Sequence, residues 1–381
     1  MKDMGVEKRG IEIMAPKSQF FLLHAQDIDP RAANIVKQEF LSAGGEVAVP
    51  WGSLELSEKK SEIMMMGTKN QFDRVKKKLR EQPFDLHILA DEIEDTIDNY
   101  LNPTKSIFGK ENCQIMGILN VTPDSFFDGG NYSDKNKAIE RGIQLAEEGA
   151  DVIDIGGEST RPGSERISAE KELENILPVI EELAPLIDVP ISVDTYKPKV
   201  AEEAINSGAE MINDVFGLRT DEMAETIAKL DVPIAIMHMQ GTPKNMQDNP
   251  EYDDVVSDIC SYFHERIKYA LDSGVKRENI ILDPGIGFGK KLEHNLEILN
   301  RLDEFTSLGC PLLLGASRKS FLGQILEKEA EERLYGSLAV AAKAVKKGVS
   351  ILRVHDVKET LDVVKTIEAV EKTHVWDNPR Y

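Results

Sequence analysis

VIDIGGESTRPG, at Val152–Gly163, opens a stretch that continues through AEKELENILPVIEELAPLI, at Ala169–Ile187, and closes with ISVDT, at Ile191–Thr195. The first segment begins with a short apolar run, the second carries apolar residues at helical spacing, and the third returns to a short apolar run. This order of strand, helix and strand is typical of a unit in which the two strands lie parallel in one sheet.

The unit recurs along the chain from about Cys113 onward, where eight short apolar runs alternate with amphipathic stretches. The predicted strands are Ile115–Leu119, Val152–Ile155, Ile191–Val193, Met211–Ile212, Ile234–Met237, Ile280–Leu282, Leu312–Leu314 and Ile351–Val354. Predicted helices between them include Lys135–Glu148, Ala169–Ile187, Lys197–Ser207 and Asp253–Ser273. Eight parallel strands separated by helices, over roughly 260 residues, favour a closed (β/α)8 TIM barrel over an open doubly wound sheet.

The first part of the chain does not continue this series. Strands are predicted at Phe20–Leu23 and Glu46–Val49, and helices at Arg31–Ser42, Gln71–Glu81 and Asp85–Tyr100. Pro103, Gly109 and polar residues interrupt the periodicity between Asn102 and Lys110. We therefore predict a small α+β domain of unknown role at residues 1–105, followed by the catalytic barrel at residues 106–381. The run Met64–Met66 is interpreted as core packing, because Met commonly fills cores.

The composition limits the class of protein. The chain has 381 residues, of which 41% are hydrophobic and 30% charged, with no apolar run long enough to span a bilayer. The net charge of −21 argues against a nucleic-acid partner, because phosphate backbones are bound through clustered Lys and Arg. The start MKDMGVEKRG has no apolar signal core, and Cys113, Cys260 and Cys310 form neither a disulfide framework nor a CxxC pair. We expect a cytoplasmic protein with no nucleic-acid and no membrane partner.

Polar residues follow nearly every predicted barrel strand at its C-terminal end. In strand order they are Asn120; Glu158 to Arg161; Asp194; Asn213 and Asp214; His238; Asp283; Ser317 to Lys319; and Arg353, His355 and Asp356. Any one Asp or Asn at such a position could simply cap the next helix. In a barrel, however, these ends converge on one mouth, and the basic residues follow the last two strands, where this fold usually binds phosphate. Such a pocket suits a polar heterocycle with an anionic leaving group.

Two other chemistries are not favoured. In DPGIGFGK, Pro284 stands where a Walker A loop needs its first Gly, and Lys290 replaces the third Gly of GxGxxG. His238 and His355 are accompanied by no HExxH motif and no Cys pair, so a protein-held zinc ion is not expected. For His238 we predict an ordinary histidine at the end of a strand.

Read as whole motifs, these segments resemble the dihydropteroate synthase family, in the family's order and over Cys113 to Lys372. The motifs are GILNVTPDSFFDGG (Gly117–Gly130), GGESTRPG (Gly156–Gly163), SVDT (Ser192–Thr195), IND (Ile212–Asp214), MHMQGTP (Met237–Pro243), DPGIGFGK (Asp283–Lys290), SRKSFLG (Ser317–Gly323) and RVHDV (Arg353–Val357). The resemblance implies condensation of a dihydropterin methyl diphosphate with 4-aminobenzoate, by loss of diphosphate and attack of the arylamine.

The resemblance also implies roles for individual residues, which stay expectations at this point. The pterin would be bound by Asp194, Asn213, Met237, Asp283 and Lys319. The diphosphate would be bound by Asn120, Thr160, Arg353 and His355, and Asn120 would hold Mg²⁺. The aminobenzoate would contact Phe126, Arg161, Pro162, Phe288 and Ser320. The catalytic residues would be Asp128, Lys319, Arg353 and His355. A homodimer is expected as well.

Three alternatives remain open. A pterin-binding methyltransferase barrel, which moves a methyl group from a reduced folate to a corrinoid protein, shares the pterin-reading Asp and Asn but has no diphosphate to expel. The SRKS and RVHDV segments therefore argue against it. A catalytically silent pterin-binding module would be expected to lack Lys319, Arg353 or Asn120, and all three are present. The acceptor could also be a ribosylated aminobenzene phosphate, although the TRPG loop and Ser320 favour a carboxylate-bearing acceptor.

Overall fold

The computed structural model describes residues 1–57, 59–104, 107–110, 112–121, 132–159 and 166–372. The chain forms two compact units, the first comprising Met1–Leu101 and the second beginning at Asn102. Within the described residues, no helix is long and apolar enough to cross a membrane.

The first unit is a three-stranded antiparallel sheet packed on helices. Its strands are β1 (Phe20–Ile28), β2 (Glu46–Ala48) and β3 (Ser61–Thr68), in the order β1-β3-β2, and its helices are α1 (Lys8–Met14), α2 (Pro30–Ala43), α3 (Trp51–Glu55), α4 (Lys69–Leu79) and α5 (Leu86–Leu101). Phe40 of α2 and Phe72 of α4 meet edge to face, with ring centroids 4.9 Å apart, inside a core of this unit's own residues. The first unit therefore has a hydrophobic core separate from that of the barrel.

Strand β3 was not predicted from the sequence. It contains Met64–Met66, and a strand points successive side chains to opposite faces. Met65 is accordingly 1% exposed and belongs to the core, whereas Met64 on the other face is 42% exposed. The interpretation of this run as core packing therefore holds for Met65 and not for Met64. Three consecutive Met residues hide the alternation that would have indicated the strand.

The second unit is a parallel eight-stranded barrel. Its strands are β4 (Gln114–Asn120), β5 (Val152–Gly156), β6 (Ile191–Asp194), β7 (Met211–Asp214), β8 (Ile234–Met237), β9 (Ile280–Asp283), β10 (Leu313–Leu314) and β11 (Ile351–Val354). The strand order is β10-β11-β4-β5-β6-β7-β8-β9, and a parallel bridge between Leu282 and Leu312 brings the two ends of the sheet together. The predicted TIM barrel is confirmed, with all eight strands at the expected places.

Helices follow the strands and cover the outside of the barrel. They are α6 (Tyr132–Glu147), α7 (Ala169–Leu183), α8 (Pro198–Asn206), α9 (Met223–Leu230), α10 (Val255–Asp272), α11 (Leu292–Asn300), α12 (Ser320–Leu326), α13 (Leu334–Lys346) and α14 (Val357–Lys372). Helix α7 ends before the predicted Ile187, in a 3-10 turn at Ala184–Leu186 that contains Pro185.

The inside of the barrel is layered. Its apolar layer takes one buried residue from each of seven strands, together with Ile107: Met116, Val152, Met211, Ala235, Ile281, Leu313 and Ile351. Because side chains alternate along a strand, every second residue after this layer also points inward. Those next inward positions include Asp154, Asn213, Asp283 and Arg353, so the layer above the apolar floor is polar. This layer forms the candidate site.

Candidate active site

Strand register places polar side chains in one row at the C-terminal ends of neighbouring strands. Asn120 pairs with Gly156, Gly156 with Asp194, and Asp194 with Asn213. Gly156 carries no side chain, so the row is open between Asn120 and Asp194. Asp194 and Asn213 are both buried, at 8% and 3% exposure, although both are polar. Buried polar groups are stable only when they have hydrogen-bond partners, and here those partners come from strands that are not adjacent in the sheet.

Arg353 on β11 and Asp154 on β5 supply these partners. Nε of Arg353 donates to Oδ2 of Asp154 at 2.6 Å, and its Nη2 donates to Oδ2 of Asp194 at 2.9 Å. Asn213 donates through Nδ2 to the same Oδ2 of Asp154 at 3.2 Å. The guanidinium of Arg353 therefore links three strands across the mouth, and the predicted residues Asp194, Asn213 and Arg353 are brought together.

Asp154 was missed in the sequence. It is 0% exposed and lies inside the apolar run of β5, whereas the sequence argument considered only residues after the strand ends. Its Oδ1 has no hydrogen-bond partner within the described part of the chain. The available signal was its parity, since Asp154 lies two residues before inward-facing Gly156. A charged residue at an inward position of a buried strand is a candidate functional residue.

Lys319 approaches the site from the segment after β10. Its Nζ donates to the backbone oxygen of Ile286 and lies 4.4 Å from the centroid of the Phe288 ring. Gly315 leaves room beside it, because a Cβ built there would lie 4.0 Å from Lys319 Nζ and 3.8 Å from Arg353 Cδ. Burial lowers the pKa of Lys319 to about 8, although the nearby Asp283 carboxylate favours the charged form. Lys319 and Arg353 therefore line the same space.

Burial also raises the pKa of the carboxyl groups that face these cations. The pKa of Asp194 is raised chiefly by burial and then by Asp154, while Arg353 opposes the shift. The pKa of Asp283 is raised by burial and lowered in part by Lys319, and its Oδ1 accepts from the backbone N–H of Gly285 at 2.8 Å. Burial would lower the pKa of Arg353, but Asp154 and Asp194 outweigh it, so the guanidinium stays charged.

His355 lies at the same end of β11 and is neutral. Its Nδ1 is 3.1 Å from Oγ of Ser317, whose position is also set by the backbone N–H of His355 at 3.3 Å. Although part of His355 is exposed to solvent, burial and then the charge of Arg353 lower the pKa of its ring below the ordinary value. At neutral pH this side chain can therefore donate or accept a hydrogen bond but brings no charge. The adjacent Arg318 and Asp356 form a two-point ion pair, at 2.9 and 2.6 Å, that joins the two segments.

Two residues at strand ends, Asp214 and His238, hold the local structure instead of lining the site. The carboxylate of Asp214 accepts from the backbone N–H groups of Phe216 at 2.8 Å and Leu218 at 2.7 Å, so it fixes the turn after β7. His238 is buried, contacts Tyr262 edge to face at 4.9 Å, and lies 3.0 Å from Lys290 Nζ through its Nδ1. The prediction that His238 is an ordinary strand-end histidine agrees with this position.

The remaining predicted residues divide into two groups. Met237 is 2% exposed at the end of β8 and belongs to an apolar cluster that Phe288 joins from its edge. Ser320 is exposed at the first position of α12, directly after Lys319. Outside the described residues lie Phe126, Asp128, Thr160, Arg161 and Pro162.

The expected magnesium site has one protein oxygen. Asn120 is exposed at the end of β4, and a Cβ built at Gly156 would lie 3.6 Å from its Oδ1. Among the residues that the structure describes, no group of three or more His, Cys, Asp or Glu side chains could hold a metal ion. Mg²⁺ commonly keeps several waters and binds through one or two protein ligands plus substrate phosphates. The Asn120 oxygen therefore fits a metal ion that is bound together with a phosphorylated substrate.

Comparison with known proteins gives a consistent result. Residues 116–355 match the family described as pterin binding enzyme. The chain is 47% identical to dihydropteroate synthase of Escherichia coli K12 over 267 residues, which is 70% of this chain and 94% of that protein. It is 44% identical to the solved structure of Xanthomonas albilineans dihydropteroate synthase with 4-aminobenzoic acid, covering 69% of this chain and 94% of that one, with a TM-score of 0.66.

A third relative extends into the first unit. The chain is 43% identical, over 344 residues, to a probable bifunctional folylpolyglutamate synthase/dihydropteroate synthase of Halobacterium salinarum. This alignment covers 90% of this chain and 42% of that protein. An alignment of this length cannot fit within the second unit, which begins at Asn102 of a chain of 381 residues. Part of the first unit is therefore shared with this relative.

Proposed function

The chain belongs to the dihydropteroate synthase family of pterin-binding enzymes, and we propose that the mouth of its barrel carries out the family's condensation with Asp194, Asn213 and Asp283 reading the pterin. One observation supports these roles. Arg353 contacts both Asp154 and Asp194, and Lys319 lines the same space. These contacts bring residues from strands that are not adjacent in the sheet around one cavity mouth, as the condensation of two substrates requires.

The donor and acceptor pattern supports pterin recognition. Asn213 donates through Nδ2 to Asp154, which turns its carbonyl oxygen away from that carboxylate and leaves it to accept from a ring N–H. The carboxylates of Asp194 and Asp283 are acceptors, and an aminopyrimidinone ring offers N–H donors to such groups in charge-assisted hydrogen bonds. Lys319 would donate to a ring oxygen or nitrogen, and Met237 would pack on the ring face.

Arg353 and His355 would receive the diphosphate as it leaves the pterin. The bonds of Arg353 to the two carboxylates use Nε and Nη2, so Nη1 is left for a substrate oxygen within the described part of the site. His355 would donate a hydrogen bond as a neutral ring. Asn120, with Thr160, would complete the pocket, and Asn120 would contribute one oxygen ligand to Mg²⁺. When bound, the metal supplies positive charge that stabilises the departing diphosphate.

The second substrate would lie beside the segments after β9 and β10, which contain Phe288 and Ser320. Phe126, Arg161 and Pro162 are proposed to complete the pocket. The Xanthomonas relative was solved with 4-aminobenzoic acid, which supports the same acceptor for this chain. Asp128 would face the cation that forms at the methylene carbon after the diphosphate leaves. The arylamine nitrogen then attacks this carbon and loses a proton, so no protein nucleophile is needed.

We also propose that the enzyme works in the cytoplasm and as a homodimer. The support for the first is the cysteine pattern, because buried Cys113 and Cys310 are free thiols. The second rests on family resemblance. Size-exclusion chromatography with light scattering on the full chain would give the mass of the particle and decide the oligomeric state.

One experiment tests the proposed activity directly. The purified full chain is incubated with dihydropterin methyl diphosphate, magnesium and 4-aminobenzoate, and the diphosphate and dihydropteroate released are measured together. Equal amounts of both are expected. Diphosphate release without dihydropteroate would contradict the proposed acceptor, and a parallel reaction with a ribosylated aminobenzene phosphate would then identify the alternative. The absence of either product would contradict the proposed activity.

A further inference from the structure

The segment after β9, residues 284–289, lies directly on the backbone after β8. Gly285 has φ +68°, and a Cβ built there would lie 2.0 Å from the backbone oxygen of His238. Gly289 has φ +60°, and its Cβ would lie 2.6 Å from the backbone oxygen of Gln240. Both positions therefore require glycine, for the positive φ and for the close approach. The two backbone segments meet here without side chains between them.

Lys290 joins these two segments. It is 3% exposed, and its Nζ donates to the backbone oxygen of Phe288 at 2.9 Å and to that of His238 at 3.3 Å. The third neighbour of Nζ is Nδ1 of His238, at 3.0 Å. Within the described residues, no carboxylate lies at ion-pair distance from this amine. Burial lowers the pKa of both Lys290 and His238 well below their ordinary values.

The segment that Lys290 holds provides the surroundings of Lys319. Ile286 offers the backbone oxygen that accepts from Lys319 Nζ, and Phe288 offers the ring 4.4 Å away. A Cβ at Gly287 would lie 3.3 Å from Cδ of Lys319, so the stem of this lysine also packs on the segment. The backbone of Gly287 is itself held by Asn295 and Gln247, at 2.8 Å each.

We propose that Lys290 is a positioning residue for Lys319, holding segment 284–289 so that the Ile286 oxygen and the Phe288 ring receive the Lys319 side chain. This inference rests on the proposed role of Lys319 in the active site. Without the Lys290 amine, the buried carbonyl oxygen of His238 and the part-buried carbonyl oxygen of Phe288 lose a donor, and an unsatisfied buried polar group is costly enough to displace a segment. Once displaced, the segment would expose Lys319 to water.

Exposure of Lys319 has a measurable consequence, because burial is what lowers its pKa to about 8. The charged groups that face Lys319 are Asp283, Arg353 and Asp194, and a substitution at Lys290 leaves all three in place. A better-solvated Lys319 therefore titrates closer to an ordinary lysine. The charge of Lys290 lowers the pKa of Asp283, so its removal disfavours the carboxylate that supports a charged Lys319 and works against the rise expected from solvation. A residue that only supported the fold would lower stability without moving this titration.

The test compares Lys290→Met, which keeps the length of the side chain without the amine, with Lys244→Met, an exposed lysine on the segment after β8. Competitive acetylation of the full chain across pH, read by mass spectrometry at Lys319, reports the titration of this amine without requiring turnover. We expect Lys290→Met to raise the titration midpoint by at least about one pH unit and to lower kcat/KM for the pterin substrate roughly tenfold. Lys244→Met should change neither.

A second variant guards against misfolding. Lys290→Cys alkylated with 2-bromoethylamine rebuilds an amine of nearly the same length, and we expect it to restore the wild-type midpoint. Should Lys290→Met be insoluble, the unalkylated and alkylated Lys290→Cys proteins provide the same comparison. An unchanged Lys319 midpoint in folded protein without the Lys290 amine would overturn the inference. A wild-type enzyme that forms no dihydropteroate would instead contradict the proposed function, while the labelling result would still stand.

Discussion

Replacing Asp154 with Asn removes the charge that holds Arg353 across the barrel mouth while keeping the shape of the side chain. Oδ2 of Asp154 accepts from Arg353 Nε at 2.6 Å and from Asn213 Nδ2 at 3.2 Å. The amide oxygen of an Asn could still accept from both donors, with its NH₂ group at the position of Oδ1, which has no partner in the described structure. The substitution therefore isolates the contribution of charge.

The expected loss in the free energy of unfolding follows from the hydrogen bonds that each substitution weakens or removes. A hydrogen bond to a charged group contributes about 1.5–3 kcal/mol, and a neutral one about 1 kcal/mol. Asp154→Asn turns the Arg353 contact from the first kind into a weaker one, so we expect a loss of about 1–2 kcal/mol in the free energy of unfolding. Asp154→Ala removes both bonds, but Arg353 keeps Asp194 at 2.9 Å. The loss of unfolding free energy in Asp154→Ala should therefore stay near the lower end of the ~3–5 kcal/mol that breaking a buried ion pair costs.

Two assays measure these losses. Thermal unfolding of the barrel should shift down by roughly 2–4 °C for each kcal/mol lost, as is usual for domains of this size. Steady-state kinetics should give a kcat/KM for the pterin substrate reduced about tenfold in Asp154→Asn and about a hundredfold in Asp154→Ala, corresponding to about 1.4 and 2.7 kcal/mol. The KM for aminobenzoate should stay unchanged, because Asp154 lies on the pterin side.

The matched control is Asp188→Asn, the same substitution at an exposed aspartate. It should leave both unfolding and kinetics unchanged, since exposed substitutions rarely exceed about 0.5 kcal/mol. If Asp154→Asn and Asp154→Ala behaved like the control in both assays, the ion pair with Arg353 would have no part in function and the reasoning would be wrong.

Three further predictions concern the site and the two units. Lys319→Ala should lose at least tenfold in kcat/KM, about 1.4 kcal/mol, and near-normal turnover would count against its role. In the wild type, kcat/KM should fall as pH rises through about 8, because Lys319 loses its proton there. Lys319→Arg should move this decline to higher pH. A flat pH profile would contradict the requirement for a protonated Lys319. Asp194→Asn should abolish pterin binding in a titration while the circular dichroism spectrum stays unchanged, and normal affinity would remove Asp194 from the pterin site. Deletion of Met1–Leu101 should leave a folded and active barrel because each unit has its own core, and an insoluble product would refute their independence.

The barrel could be predicted because its sequence repeats one signal. Each strand is a short apolar run buried on both faces, and each is followed by a helix with one apolar stripe, so the alternation can be counted without knowing any contact. The first unit could be predicted only in part. Its strand β3 carries Met64–Met66, which give no alternation to read, and that strand lies at the centre of the sheet between β1 and β2. Its absence from the prediction left the topology of this unit undetermined.

Within the site, the positions of the polar residues along the strands can be predicted from the sequence, but the directions in which their side chains point cannot. Asp194, Asn213 and Asp214 all follow short strands, yet only the first two face the mouth, because side chains alternate and Asp214 points to the turn that it anchors. The parity of a strand becomes certain only when its register with neighbours is known. Asp154 was missed for the same reason, since its inward direction is set by its pairing within the barrel rather than by its neighbours in the sequence.

The structure also changes the charge balance expected at the mouth. Of the two β11 residues expected to bind the diphosphate, Arg353 is charged, whereas His355 is neutral near pH 7 because burial and then the charge of Arg353 lower its pKa. Among the residues that the structure describes, Arg353 and Lys319 then face the carboxylates of Asp154, Asp194 and Asp283, which is two positive against three negative charges when all are ionised. A site with this balance does not attract a diphosphate by charge alone. A magnesium ion that enters with the substrate would offset this balance, so we expect activity to rise steeply with magnesium and diphosphate binding without magnesium to be weak in a calorimetric titration. Strong binding in its absence would place further cations at the mouth and contradict this balance.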